Sequence, residues 1–386
     1  MSTKLPTYEV LMLGARGSGK TVFLASLYKQ LATQAEHGFF LDVDSLANQK
    51  RLNRIYAQLA KEGEWPPATK PSEVSEWTFT CRVQTQGLSI YPACRFTYLD
   101  YSGGRLTDVL EEMGSPLSNF ELKLEQADAL LCLLDGHKIA TLMGGATADQ
   151  TFELVDIPNM LHIMQNTDRA IHFVISKWDL LDGQFTLRQI RERLYKIPEF
   201  SNIVTSRVKA GIPIRLIPIS SVGMNFATPE PDGSMKKIAG AVPRPFHVEA
   251  PLACILPDAV KIQLDRLIED KQALIDSIIQ VKPNLSPWDK LKDFFAHGIQ
   301  FAYEFLPEKY QFGGNVLQKL TDYLKSDVQK KEQEASKRTE ELRREQEISM
   351  MAVEDEVTAM NHVVNSFMRI QSTMDQYFPD SDLRRL

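Results

Sequence analysis

The sequence predicts an α/β protein whose mostly parallel sheet is covered by helices on both faces, followed by an all-helical C-terminal region. Two observations predict this fold class. Short apolar runs alternate with helical segments through residues 1–226, and helical periodicity without strand signals begins at residue 258. Strands separated by helices favour parallel pairing, because a parallel crossover needs about a dozen residues or more.

The strands are predicted where apolar and β-branched residues form short runs. YEVLMLG, residues 8–14, ends on glycine and is followed by a predicted helix over 20–34. Two runs rich in Thr, Tyr and Phe flank the sequence QGLSIYP and predict a hairpin of residues 77–85 and 94–102. Three further apolar strands are predicted at 129–136, 170–179 and 212–221.

Three units are predicted along the chain. Residues 1–226 hold the sheet, with a helical insertion at 45–63 followed by the Pro-rich loop EWPPATKPSE. Residues 227–257 are dense in Pro and Gly and predict an extended connector. Residues 258–386 predict a helical region, either one helical domain or a continuous arm. Within it, residues 315–378 contain no Pro or Gly, and their apolar steps of three, four and seven predict a long helix or helical hairpin with a coiled-coil-like seam.

Composition excludes several classes of protein. The 44 basic and 50 acidic residues give a net charge of −6, so no bulk attraction to nucleic acid is expected. No apolar stretch reaches the roughly 18 residues that a membrane span needs, and the N-terminus does not read as a signal peptide. The four cysteines show no CxxC spacing, and they predict buried thiols in a reducing cytoplasm.

A glycine-rich run follows the first predicted strand and opens the first helix. Its pattern is GxxxxGK[ST], in which backbone N–H groups and the helix N-terminus point at phosphate oxygens. Lys20 can neutralise the β- and γ-phosphates, and the hydroxyl of Thr21 can ligate Mg²⁺. The residues of this run are Gly14, Ala15, Arg16, Gly17, Ser18, Gly19, Lys20 and Thr21.

The second motif is Asp100-Tyr101-Ser102-Gly103, at the end of another predicted strand. A carboxylate in that place can hold Mg²⁺ through water, and the backbone N–H of Gly103 can approach a γ-phosphate. The motif is weak alone. Its place after a phosphate loop and at a strand end strengthens it.

Two later strand ends carry residues suited to a purine base. The Asp179 carboxylate can accept hydrogen bonds from N1–H and the exocyclic amine of guanine, a donor pair that adenine lacks. The stem of Lys177 can stack along the base, and the backbone N–H of Ser221 can reach guanine O6. The two segments are Ser176-Lys177-Trp178-Asp179 and Ser220-Ser221-Val222.

These four elements, in this order, resemble the Ras-like, translation-factor-related (TRAFAC) class of P-loop GTPases over residues 7–226. The phosphate loop, the DxxG and the SA[KL]-like loop match, and SKWD stands where the class has [NT]KxD. Within the class, LGARGSGKTVFLASLY and EWPPAT look like bacterial GTPases of conflict and anti-phage systems, including the double-GTPase families.

The resemblance implies a Mg²⁺-dependent protein that binds GTP and GDP and hydrolyses GTP. It implies phosphate contacts from the glycine-rich run and Gly103, with Lys20 catalytic. It implies Mg²⁺ held by Thr21, Asp100 and a threonine of the switch I loop. It implies guanine contacts from five residues, namely Ser176, Lys177, Asp179, Ser220 and Ser221.

Three departures from the class matter. The 80 residues from Lys20 to Asp100 predict an extra helix before switch I, and Thr69 is favoured over Thr78 as the Mg²⁺-binding threonine. Gly104 stands where many members have a water-orienting glutamine, so slow intrinsic hydrolysis is expected. Arg16 and Arg105 lie beside the two phosphate motifs, where either can supply positive charge to the transition state. The alternatives are that a phosphate-loop arginine obstructs the attacking water, or that it pairs with a surface carboxylate.

Three hypotheses remain from the sequence. The first is a GTP-hydrolysing switch that controls the docking of a protein partner, or self-association, through residues 258–386. The second is a nucleotide-bound interaction or scaffold protein with little hydrolysis. The third is an ATP-using P-loop protein, against which Asp179 argues. None of them calls for direct contact with nucleic acid.

Overall fold

The fold is taken from a computed structural model of the chain. It describes residues 5–61, 65–67, 74–101, 117–145, 150–165, 167–230, 234–278, 306–312, 314–327 and 332–384. Within these ranges no helix is both long and apolar enough to cross a membrane.

A seven-stranded sheet forms the centre of the molecule and confirms the predicted fold class. Its strand order is β2-β3-β4-β1-β5-β6-β7, in which β1 and β4 to β7 run parallel, and β3 pairs antiparallel with both of its neighbours, β2 and β4. A separate two-stranded sheet pairs β8 with β9. The strands are β1 Thr7–Gly14, β2 Phe40–Val43, β3 Val74–Gln84, β4 Ile90–Tyr101, β5 Ala129–Asp135, β6 Ala170–Ser176, β7 Ile214–Pro218, β8 Ala227–Pro229 and β9 Met235–Lys237.

Helices cover both faces of the large sheet. The described helices are α1 Lys20–Gln30, α2 Leu46–Ala60, α3 Leu117–Gln126, α4 Gly136–Met143, α5 Ile157–Met164, α6 Leu187–Leu194, α7 Pro198–Lys209, α8 Ala250–Ile278, α9 Gly314–Asp327, α10 Glu332–Met351 and α11 Glu356–Tyr377. On one face of the sheet, alternate β1 side chains such as Val10 and Met12 pack with α1, α8 and α11. On the other face, Leu11 and Leu13 pack with α4 to α7.

The predicted hairpin is present but begins its second strand earlier than expected. QGLSIYP contributes Ile90 and Pro92 to β4. A β-bulge lies beside Pro92, where the register shifts between Cys81 and Arg82. Proline cannot donate to a strand ladder, so a bulge is where a strand accommodates it. The short strand β2 was not predicted from the sequence.

The segment predicted as an extended connector contains regular structure. Ala227–Pro229 (β8) and Met235–Lys237 (β9) pair as antiparallel strands, and α8 begins at Ala250 and runs through Pro257. A proline inside a helix costs about 3 kcal/mol, which makes Pro257 look like a helix start in the sequence. The residues before it, from Leu252 to Leu256, are completely buried, and this packing offsets the cost.

The C-terminal helices fold back onto the sheet rather than projecting as an arm. α10 and α11 form an antiparallel hairpin, since Ser349 contacts His362 and Thr339 contacts Ser372. This is the hairpin alternative of the sequence analysis. Phe367 of α11 packs edge-on against Phe39 and Phe96 within the same core as the strands.

A buried ionic cluster joins α8 and the chain end to the sheet. Asp258 of α8 accepts hydrogen bonds from Arg215 of β7 at 2.6 and 2.9 Å and lies 2.9 Å from His172 of β6, all three fully buried. Beyond α11, the N–H of Leu216 donates to Ser381 at 2.7 Å, so the chain end pairs along β7.

Candidate nucleotide-binding site

The motif residues meet at one edge of the sheet. β1, β4, β5, β6 and β7 are parallel, so their carboxyl ends lie together, and ligands of open α/β sheets bind at that edge. The residues at or just past these ends are Gly14, Asp100, Asp135, Ser176 and Ser220.

The loop between β1 and α1 has the backbone shape of a phosphate cradle. Gly17 and Gly19 have φ of +83° and +88°, a region that favours glycine, and Gly19 caps α1 without a side-chain hydrogen bond. A Cβ on Gly14 would lie 2.8 Å from Ser18 Oγ and 2.9 Å from the carbonyl oxygen of Leu133. The glycines are therefore required by the loop conformation itself.

Lys20 lies inside this loop. Its Nζ donates to the carbonyl oxygens of Gly14 at 2.7 Å and Ala15 at 3.5 Å. Burial lowers the pKa of Lys20, and the Asp100 carboxylate opposes that effect. The ammonium is thus held over the loop, where a phosphate oxygen would compete for its protons.

Asp100 and Thr21 come together from separate elements. The Thr21 hydroxyl, in the first turn of α1, donates to Asp100 Oδ2 at the end of β4 over 3.3 Å. A hydroxyl and a carboxylate are oxygen ligands of the kind that Mg²⁺ prefers. The pair therefore fits a magnesium ion beside the phosphate loop.

Ser18 supplies a second indication that the loop fits an anion. Its side chain is 1% exposed, and its Oγ has no hydrogen-bond partner among the described residues. A buried hydroxyl without a hydrogen-bond partner costs folding free energy. A phosphate oxygen at the helix N-terminus would accept a hydrogen bond from it.

At the other end of the site, Lys177 has a left-handed backbone with φ of +52°. Its Nζ donates to Asp135 Oδ2 at 2.7 Å, and Ser176 Oγ donates to the carbonyl of Leu134 at 3.1 Å. Asp135 was missed by the sequence analysis, although its place at the end of the strand ALLCLLD was a usable signal. A Cβ on Gly136 would clash with the carbonyl oxygen of Ser176, so the two strand ends approach closely here.

Asp179 is tied to the last strand end. Ser220 Oγ donates to Asp179 Oδ1 at 2.5 Å and accepts from the N–H of Gly223 at 2.8 Å. Burial raises the pKa of Asp179, while the Ser220 hydrogen bond and the charge of Lys177 lower it. A carboxylate held in this way is ready to accept hydrogen bonds from a ligand.

The two ends of the site are linked through α1. Ser26 Oγ donates to the carbonyl oxygen of Ser221 at 2.7 Å, in a fully buried contact. The helix that starts at the phosphate loop therefore also supports the loop expected to meet the base.

The remaining predicted residues are Arg16, Thr78 and four residues outside the described ranges. Arg16 is exposed on the loop. Thr78 lies within β3 opposite Thr97, with the two hydroxyls 3.4 Å apart, and not in a loop. Thr69, Gly103, Gly104 and Arg105 lie outside the described residues, so the structure does not test their predicted roles.

Comparisons with known proteins add little at the level of sequence. No protein-family model matches the chain, and no curated protein matches it. Among solved structures, the chain is similar to the Arl6 BBS3 small GTPase from Trypanosoma brucei with the bound nucleotide analogue GppNp, at 13% identity and a TM-score of 0.31. The match covers 66% of this chain and 98% of that one. The function proposed next rests on this chain's own residues.

Proposed function

We propose that the chain is a Mg²⁺-dependent guanine-nucleotide-binding protein that hydrolyses GTP to GDP as a molecular switch. One observation carries the proposal. A phosphate loop with Lys20 and the Thr21–Asp100 pair, and the Asp179–Ser220 pair, lie along the same edge of a parallel sheet.

Each pair has a distinct task toward GTP. Lys20 and the loop N–H groups hold the phosphates, and Ser18 donates its buried hydroxyl. Mg²⁺, held by Thr21 and Asp100, supplies charge neutralisation on the β- and γ-phosphates when bound. Asp179 accepts from guanine N1–H and the 2-amino group, which disfavours adenine because adenine has no matching donors.

Hydrolysis is expected to be slow without a partner. Gly104 has no side chain with which to orient the attacking water. Arg16, exposed on the phosphate loop, and Arg105 are the candidates to supply positive charge to the transition state. Thr69 is the third proposed Mg²⁺ ligand, beside Thr21 and Asp100.

The switch would act through the C-terminal helices. The α10–α11 hairpin packs against the segment that follows α1, where His362 Nε2 lies 2.9 Å from the carbonyl oxygen of Gly38. A change at the phosphate loop can reach a protein partner, or a second copy, along this contact. The buried free thiols support a cytoplasmic location, and the resemblance of LGARGSGKTVFLASLY to conflict-system GTPases supports a role in bacterial anti-phage defence.

A nucleotide-bound scaffold with little hydrolysis is the second candidate. In this candidate the nucleotide would be a structural ligand. Two observations support it: α11 shares one hydrophobic core with the strands, and Gly104 has no side chain with which to orient the attacking water. An ATP-using protein is disfavoured by the Asp179–Ser220 geometry.

Single-turnover hydrolysis separates the two candidates. The purified full chain is loaded with GTP, Mg²⁺ is added, and GDP is followed for wild type and Arg16→Ala, with limited proteolysis in the GTP and GDP states. The switch predicts measurable GDP formation and a nucleotide-dependent cleavage pattern. No hydrolysis and identical patterns would favour the scaffold.

A further inference from the structure

A small apolar cluster lies directly behind the loop expected to meet the base, separate from the two large cores. That loop runs from Ser220 to Phe226. Its residues Val222 and Phe226 are buried in the cluster, together with Leu59 at the end of α2. Val22, next to Thr21, and Trp65, which follows α2, pack against it. We call this group the base-loop cluster.

Lys237 of β9 closes the cluster from outside. Its Nζ donates to the carbonyl oxygens of Gln58, Leu59 and Lys61 at 2.8, 2.9 and 2.7 Å. These carbonyls lie at the end of α2, where helix carbonyls lack intrahelical donors and a cation is favoured by the helix dipole. Lys237 therefore links β9 to the C-terminal end of α2.

Trp65, which lies beyond the end of α2, makes a second contact with β9. Its Nε1 donates to the carbonyl oxygen of Met235 in β9 at 2.6 Å. Its ring meets Phe226 edge-on, with centroids 6.0 Å apart, and the Lys237 ammonium lies 5.0 Å from the Trp65 ring centroid. A lysine over an indole face adds a cation–π attraction.

The cluster is continuous with the base-recognition groups. Val222 precedes Gly223, whose N–H donates to Ser220 Oγ, and Ser220 in turn donates to Asp179. The carbonyl oxygen of Val222 accepts a hydrogen bond from the backbone N–H of Arg244 at 2.8 Å, and a Cβ on Gly223 would clash with the Arg244 carbonyl oxygen. The loop is thus held on one side by Arg244 and on the other by the cluster.

We propose that Lys237 and Trp65 are positioning residues for base recognition, which hold the loop from Ser220 to Phe226 so that Asp179 and Ser220 keep their geometry toward the guanine ring. The inference deepens the proposed function and rests on it. Neither residue touches the nucleotide in this account. Their effect is confined to the base and leaves the phosphate contacts of Lys20 unchanged.

The test compares two neighbouring lysines on β9. Lys237→Met keeps the aliphatic stem and removes the charge, whereas Lys236→Met is the matched control, because Lys236 is 74% exposed and lies 3.8 Å from Glu230. Equilibrium dissociation constants are measured for GTP and for inosine triphosphate, which lacks the 2-amino group. Lys237→Arg keeps a cation with N–H donors, and Trp65→Phe removes the indole N–H while keeping a smaller aromatic ring.

We expect Lys237→Met to weaken GTP binding about tenfold, the change that loss of one charge-assisted interaction produces. Inosine triphosphate binding changes less, so the preference for GTP over inosine triphosphate falls. Lys237→Arg recovers most of the preference, Trp65→Phe shifts it in the same direction as Lys237→Met, and Lys236→Met behaves as wild type. A purely structural role predicts equal weakening of both nucleotides together with a lower unfolding temperature.

Two results would overturn the inference. If wild type prefers GTP and both Lys237→Met and Trp65→Phe keep that preference in folded protein, only the positioning role fails. If wild type and Lys236→Met bind no guanine nucleotide, the proposed function fails and the positioning role fails with it.

Discussion

The hydroxyl of Ser220 joins Asp179 to the backbone of the following loop. It donates to Asp179 Oδ1 over 2.5 Å and accepts from the N–H of Gly223 over 2.8 Å. Asp179 follows β6 and Ser220 follows β7, so one side chain fixes two strand ends relative to each other. The sequence predicts Ser220 only as one of five guanine contacts; in the structure its hydroxyl also joins two strand ends at the proposed base end of the site.

Ser220→Ala is expected to lower GTP affinity about tenfold. The change removes the donor to Asp179 and leaves the Gly223 N–H without that acceptor, and a lost hydrogen bond to a charged group is worth about 1.5–3 kcal/mol. Titration with a fluorescent GTP analogue measures it. Ser206→Ala is the control, since Ser206 Oγ donates only within α7, to Ile203. Wild-type affinity in Ser220→Ala would show that this hydroxyl does not organise the site.

Gly38→Ala is expected to loosen the contact between the segment after α1 and the C-terminal hairpin. Gly38 has φ of +79°, and a Cβ there would lie 2.5 Å from His362 Nε2 and 2.6 Å from Gln346 Nε2. The variant should lose about 2–4 kcal/mol of unfolding free energy, from backbone strain plus steric overlap.

Gly240→Ala provides the matched control for that change. Gly240 has nearly the same φ, +75°, but a Cβ there meets nothing within 4 Å. It should therefore lose only the strain, about 1–2 kcal/mol. Chemical denaturation measures both variants, and equal losses would mean that the hairpin does not press on Gly38.

Asp258→Asn is expected to destabilise the protein by about 3–5 kcal/mol, because it leaves the buried Arg215 guanidinium without its main counter-charge. Burial alone would raise the pKa of Asp258, but Arg215 and His172 outweigh it and hold that pKa well below the usual range. Denaturant unfolding gives the value. Glu340→Gln is the comparison, since the Glu340–Arg344 pair is exposed at 3.6 Å and should change stability by less than about 1 kcal/mol. Similar losses in the two variants would contradict this account of the buried cluster.

His247 is expected to make stability fall in mild acid. Burial lowers the pKa of His247 from 6.5 to about 4. Between pH 6.5 and pH 4, His247 is protonated in the unfolded chain but stays neutral in the folded protein. The unfolding free energy therefore decreases as the pH falls from 6.5 towards 4. Allowing for partial exposure, the loss is about 2 kcal/mol.

His247→Asn isolates that contribution. Asparagine tolerates the left-handed backbone of this position, where φ is +54°, and its side chain has no titratable group. The unfolding free energy of wild type minus that of the variant, measured by denaturation at pH 7 and pH 4.5, should decrease as the pH falls. A difference that does not depend on pH would show that His247 is not held neutral.

The strands that carry the motifs were predictable because their signals are local. Gly14, Lys20 and Asp100 could be placed from strand-length runs followed by glycine-rich or acidic turns, and the Thr21–Asp100 contact follows from parallel strand order. The finer features depend on distant residues. Pro257 reads as a helix start unless the burial of the preceding segment is known, and the role of Lys237 depends on an α2 that lies about 180 residues earlier.

The same limit applies to α11. Its sequence has a helical seam, which predicts a helix with one buried face. In the structure, other elements surround α11, so that even the polar side chains of His362, Asn365 and Gln371 are fully buried. Nothing in a local window distinguishes those polar residues from exposed ones, because their burial comes from the sheet on one side and neighbouring helices on the other.

The measurement that most directly tests the account is equilibrium binding of fluorescent GTP, GDP and ATP analogues with Mg²⁺ to wild type, Lys20→Ala and Asp179→Ala. Wild type is expected to bind guanine nucleotides tightly. Lys20→Ala is expected to lose this binding, and Asp179→Ala is expected to show a relaxed base preference. Equal binding of GTP and ATP by wild type, or an Asp179→Ala protein with unchanged preference, would contradict it.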